Sequence, residues 1–186
     1  MSDKVYVYHI DKDDKIFHVN ESWNEFAVEN DSSHLVNSVL EKPIWDYISD
    51  GLVKNLYKEL ISAVRITKEA VHISFRCDSP EKMRFLEMQL FPLMDDGIAF
   101  HNILLREKTK EEGFTAEIIA IMAQAGFSMC SSCNRINVGG EWMELVDALK
   151  ERKIEGTTLI AHYGMCSECA TSLNKSIEDL KKSIKI

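Results

Sequence analysis

Residues 71–93, VHISFRCDSPEKMRFLEMQLFPL, set the fold of the larger part of this chain. In the first seven, Val71, Ile73, Phe75 and Cys77 alternate with His72, Ser74 and Arg76. A period of two puts the apolar set on one side, as a β-strand with one drier face requires. SPEK follows as a turn around Pro80, and MRFLEMQLFPL (83–93) reads as a second strand. After DDG comes a third, GIAFHNILLRE (97–107). The last two runs alternate less cleanly, with Phe85 beside Leu86 and Leu104 beside Leu105. Both faces of the sheet are therefore expected to be covered, the outer one by a helix or a second subunit, since a wide exposed apolar face is a liability.

Upstream, Ser49 and Asp50 are cap residues for a long helix, GLVKNLYKELISAVRIT (51–67). Its Leu52, Val53, Leu56, Leu60, Ile61 and Val64 form one apolar stripe. In EKPIWDYI, Pro43 suits the first turn of a short helix. Before it, VYVYHI (5–10) and IFHV (16–19) flank the turn DKDDK as a hairpin. Asn20 then caps a helix, ESWNEFAVEN, with Trp23, Phe26 and Ala27 spaced for burial.

Two strands, a cluster of helices ending in a long one, then three antiparallel strands is the order of a PAS domain, a small α+β sensor fold. Residues 4–108 resemble that family, through HIDKDDKIFHVNESWNEFA (9–27) and FRCDSPEKMRFLEMQLFPL (75–93). The resemblance implies a five-stranded antiparallel sheet with flanking helices. It also implies either a small cofactor or metabolite between sheet and helices, or a dimerisation module that binds nothing; the ligand itself stays unknown. The cysteine motif of flavin-adduct PAS domains is absent, and Cys77 falls in a predicted strand. Residues 51–67 lack the histidine by which haem-binding PAS domains hold iron, which leaves His9, His34, His72 and His101 as unconventional ligands. Cys77, on an apolar face, reads as a small packed hydrophobe.

The other decisive pattern lies downstream. CSSC and CSEC place Cys130, Cys133, Cys166 and Cys169 in two C-x2-C pairs with 32 residues between them. A two-residue spacer lets both thiolates of a knuckle converge on one ion, and two knuckles complete the four-sulfur shell of a structural zinc site. One zinc per chain is the expected cofactor. An iron–sulfur cluster uses the same four thiolates, and C-x2-C pairs also serve as thiol–disulfide switches. Between the pairs come a Gly139-Gly140 turn and a helix, EWMELVDALKER, with Trp142, Leu145, Val146 and Leu149 inward. Leu159 belongs to the same small core. So small a core implies that metal binding and folding are coupled. A last helix carries Leu173, Ile177, Leu180 and Ile184 on a strip that docks on the body or pairs between chains.

CSSCNRI, GGEWMEL and AHYGMCSEC resemble, in order and spacing, a cysteine-rich tail found after PAS, GAF and receiver domains of bacterial signalling proteins. His162 corresponds to the histidine of that tail. It either replaces one cysteine as a metal ligand or donates an N–H to a thiolate; the second role is preferred because four cysteines already fill the shell. The chain thus divides into a PAS-like sensor domain (1–108), a connecting helix (109–127, with GFTAEIIAIMAQAG) and a small helical four-cysteine metal module with a C-terminal helix (128–186).

Composition bounds the function. The 186 residues suffice for one full domain and a small module, and 45% hydrophobic with 28% charged residues is ordinary for a globular chain. No signal-peptide-like run opens it, and no stretch approaches the roughly 20 apolar residues that span a bilayer. A cytoplasmic protein without membrane contact is expected, in a compartment where thiols stay reduced. The net charge is -8, yet residues 126–186 hold eight Lys/Arg and eight Asp/Glu, so the acidic excess sits in residues 1–125. That balance argues against nucleic acid, although Arg135, Lys150, Arg152 and Lys153 keep a zinc-finger-type transcriptional regulator as an alternative. No paired acids, G-x-S-x-G, P-loop or H-E-x-x-H motif is present, and no enzyme is expected. The expectation is a signalling or sensory protein, a homodimer that passes its output to a protein partner. A redox or iron–sulfur sensor built on the C-x2-C pairs is the other alternative.

Overall fold

The computed structural model of the chain describes residues 4–79, 81–109, 128–151 and 162–183. The first hairpin joins β1 (Val5–Ile10) to β2 (Ile16–Val19). Asp11 tightens its turn, with Oδ1 accepting the N–H groups of Asp13 and Lys15 at 2.9 Å each. Asn20 then ties helix to sheet with one side chain. Its Oδ1 accepts from Val7 (3.0 Å) in β1 and from Trp23 (2.9 Å) in α1 (Glu21–Glu29), while Nδ2 donates to the Val5 carbonyl (2.8 Å). A short 3-10 turn, Ile44–Asp46, follows Pro43, and Asp50 caps α2 (Gly51–Thr67) by accepting the Val53 N–H.

Strands β3 (Val71–Arg76), β4 (Lys82–Pro92) and β5 (Ile98–Thr109) complete an antiparallel five-stranded sheet in the order β2-β1-β5-β4-β3. Alternate residues send Ile10, Leu90, Ile98 and Phe100 into a core with Leu60, Ile61 and Val64 of α2. The α2 stripe is buried as expected except Leu52, which remains half-exposed in the first turn; Ala63 is buried in addition. The uneven alternation of the last two strands has a local cause. A bulge shifts the β4–β5 register between Phe85 and Leu86, so Leu86 pairs with Leu104 while Phe85 pairs with Arg106. Leu105 is the extra residue and faces solvent, and the Arg106 guanidinium lies 4.2 Å from the Phe85 ring centre.

The cysteine region is not purely helical. It forms a second sheet of β6 (Ser128–Cys130), β7 (Ile136–Val138), β8 (Glu141–Met143) and β9 (His162–Gly164), ordered β8-β7-β6-β9, with helices α3 (Leu145–Lys150) and α4 (Ser167–Lys182). The start of the expected helix at Glu141 is a strand because Gly139 and Gly140 both adopt positive φ (61° and 96°) and return the chain onto β7. Among the described residues this sheet has a very small core of its own: Ile136 and Ala148, with Met129, Val138, Met143 and Leu145 packed on them.

Helix α4 docks on the body. Leu173, Ile177 and Leu180 are buried in the same core as α2 and β3, and Lys181 reaches Glu59 of α2 at 3.3 Å. The connecting helix, Leu159 and Ile184 lie outside the described residues, as does the side chain of Leu149. No helix among the described residues is long and apolar enough to cross a membrane.

Candidate metal centre and the adjoining cavity

Strand β6 delivers Cys130 into a tight turn. The Asn134 N–H donates to the Cys130 carbonyl (2.9 Å), the Cys130 N–H to the Arg135 carbonyl (2.8 Å), and Asn134 takes a left-handed φ of 58°. The second knuckle is the start of α4, where Cys166 is the N-cap and its Sγ accepts the Cys169 N–H at 3.5 Å. Strand β9 runs parallel to β6 and brings the two knuckles together. The Ser131 N–H donates to the Gly164 carbonyl (2.8 Å), and the Cys166 N–H donates to Cys130 Sγ (3.3 Å).

The four Sγ atoms lie within 4.8 Å of one another, with Cys133 and Cys166 at 3.8 Å. A tetrahedron with arms of about 2.3 Å has edges of about 3.8 Å, so this donor set fits a single thiophilic ion. Cys130 and Cys166 are buried, and Cys133 and Cys169 half-buried. Burial pushes the Cys133 thiol up and the Cys169 thiol up to about 11. At Cys130 burial acts in the same direction, but N–H groups of Cys166, Cys133 and Ser132 outweigh it and hold the thiol below its usual range. Those donors favour thiolate at Cys130. Arg135 adds a cation beside the cluster, ion-paired to Glu168 at 2.8 Å and within 4.0 Å of Glu144.

All four cysteines named from the sequence are thus brought together. The backbone of His162 sits in β9 opposite Ser128, while its side chain lies outside the described part of the structure. A divalent ion here would organise both knuckles, and the shell of four sulfurs leaves it no open position.

Beside this centre lies a cavity of about 530 Å³ between the inner face of the first sheet and its helices. Tyr6, Tyr8, Trp23, Phe26, Tyr57 and Phe75 supply aromatic side chains to its wall. Trp23 and Phe26, whose spacing signals burial, are half-buried because they face this space. Burial pushes the Tyr57 phenol up to about 12 and raises Tyr8 well above its ordinary value, so both stay neutral. Cys77 also lines the cavity, and burial raises its thiol, which suits packing better than reactivity. His9, His34, His72 and His101 do not line it. Two wall residues come from the cysteine region: Ser131, between the first two thiols, and Tyr163, three residues before Cys166.

Arg76 joins the two parts, and nothing in its sequence context signals this. Its N–H donates to the Ser132 carbonyl (2.7 Å), and its guanidinium pairs with Asp78 and, at 2.8 and 2.9 Å, with both carboxylate oxygens of Glu144. Breaking a buried pair costs about 3–5 kcal/mol, and a partner that is partly solvated lowers that figure. Glu144 is 40% exposed, so Arg76→Ala is expected to cost about 2 kcal/mol, measured by urea unfolding. No protein-family model matches the chain, and no curated protein matches it.

Proposed function

We propose that the chain is a sensory signalling module in which a PAS-type domain holds a small molecule and a zinc-stabilised four-cysteine module presents a surface to a protein partner. The observation that carries this reading is the aromatic cavity between sheet and helices, in a body whose order of elements resembles the PAS family. Zinc is supported by four thiols within 4.8 Å of one another, one pair of them at 3.8 Å, the edge of a four-sulfur zinc tetrahedron. Homodimerisation, as an output route alongside the protein partner, belongs to the same proposal. No catalytic role is assigned to any residue. The nucleic-acid reading is less favoured because Arg135, one of its four cations, is paired to Glu168 and near Glu144; Arg152, Lys153 and the side chain of Lys150 lie outside the described residues.

Elemental analysis of anaerobically purified protein, with a visible spectrum and a thiol count, tests the metal. About one zinc per chain without a visible band is expected. Iron with a visible band, or no metal and thiols oxidised in pairs, would instead make the cysteines the sensor. Thermal shift across a metabolite panel, with sedimentation, tests the sensor. A chain that binds nothing and stays monomeric would end that reading.

A further inference from the structure

We infer that the cavity takes an apolar, ring-bearing molecule with no anionic group, and that the CSSC knuckle forms part of its wall, so that metal and ligand bind cooperatively. This rests on the cavity and metal readings proposed above and goes on to the ligand's class and its coupling to the metal.

The ligand class follows from the lining. No Lys, Arg or His is among the described residues that line the cavity, and its one charged lining residue, Asp50, already accepts the Val53 N–H as the cap of α2. Arg84 lies against one wall residue, 5.2 Å from the Phe26 ring centre, but it does not line the cavity and its guanidinium is already engaged by Glu107 (3.0 Å) and Asn30 (2.9 Å). An anion placed there would lose its hydration without gaining an unpaired cation. The aromatic side chains of Tyr8, Trp23, Phe26, Tyr57 and Phe75 on the wall favour ring contacts with a flat partner, although one face of Tyr8 is already stacked on Phe100 at 4.5 Å.

The coupling follows from where the wall is attached. Ser131 lies between two metal-ligating positions, and its N–H is bonded to Gly164 at 2.8 Å. Tyr163 precedes Gly164 in β9, the strand that leads into Cys166. With Ile136 and Ala148 as its buried apolar residues, this small sheet depends on the ion to hold the two knuckles in register. A ligand that contacts Ser131 and Tyr163 therefore prefers the metal-loaded chain, and by linkage the ligand-filled chain holds metal more tightly by the same factor.

The test uses the full chain, zinc-loaded and zinc-stripped, with N-phenyl-1-naphthylamine as a neutral fluorescent probe and 8-anilino-1-naphthalenesulfonate as its anionic counterpart. The loaded chain is expected to bind the neutral arylamine saturably, about ten-fold more tightly than the sulfonate. Stripping zinc is expected to weaken arylamine binding about ten-fold, and saturating arylamine to lower the zinc Kd equally in competition with a chromophoric chelator. Ser131→Trp keeps all four thiols and is expected to abolish arylamine binding while zinc stays bound, which separates loss of the wall from general unfolding. Equal arylamine affinity with and without zinc, or full binding by S131W, would overturn the coupling and leave the cavity reading standing. Sulfonate binding as tight as the arylamine would overturn the ligand class. A loaded chain that binds neither probe would overturn the cavity reading itself.

Discussion

Cys166→Ala is expected to reduce bound zinc from about one ion per chain to a small fraction of that, and to lower Tm by roughly 10 °C or more. Cys166 is 1% exposed and does three things at once. It supplies one of four sulfurs, it caps α4 through the Cys169 N–H, and its own N–H donates to Cys130 Sγ. Structural zinc contributes about 10–16 kcal/mol of apparent binding energy in small metal-dependent folds, against about 1 kcal/mol for a helix cap. The ligand role therefore dominates the loss. Elemental analysis and a thermal melt measure it, with Cys77→Ala as the comparison, since Cys77 stands outside the cluster and is expected to leave zinc stoichiometry unchanged. Full zinc occupancy in C166A would remove this residue from the site.

Ile177→Ala is expected to destabilise the body of the protein, not merely loosen its last helix. Ile177 is 2% exposed and shares a core with Leu60, Val64 and Leu90. Truncating such a side chain costs about 2–4 kcal/mol, which for a chain of this size lowers Tm by roughly 5–10 °C. One cooperative transition, shifted as a whole, is the expected trace in both circular dichroism and tyrosine fluorescence. An unshifted main transition preceded by a separate small one would mean that α4 does not share the core.

Where the chain makes its own local decisions, the sequence can be read. Val71 to Cys77 alternate strictly, Asn20 and Asp50 stand where caps are needed, and two equal cysteine spacings point to one four-sulfur site. Where two remote segments decide together, it cannot. The bulge at Phe85/Leu86 is a property of a strand pair, and it makes Leu104-Leu105 look like a doubly covered strand. EWMELVDALK has helical periodicity throughout, yet two positive-φ glycines before it turn Glu141–Met143 into a strand and delay the helix to Leu145. Arg76 and Glu144 are 68 residues apart, and neither residue's neighbours betray the other. The cavity is similarly hidden, because its walls come from all five strands of the first sheet, α1, α2, the segment between those helices, the first knuckle and Tyr163 of β9.

The two margins of the five-stranded sheet are closed in different ways. Along β2, Ile16 donates to the Lys42 carbonyl (2.9 Å) and accepts from the Glu41 N–H (2.7 Å), so the body's own loop occupies that edge. Along β3, the outward Arg76 N–H is taken by Ser132, which sits inside the first cysteine knuckle. An open strand edge is a template for pairing with other chains. One border of the sheet is thus guarded by the body's own loop and the other by a carbonyl of the first cysteine knuckle, so a change that unseats the knuckle is expected to bare β3 and to raise light scattering on warming.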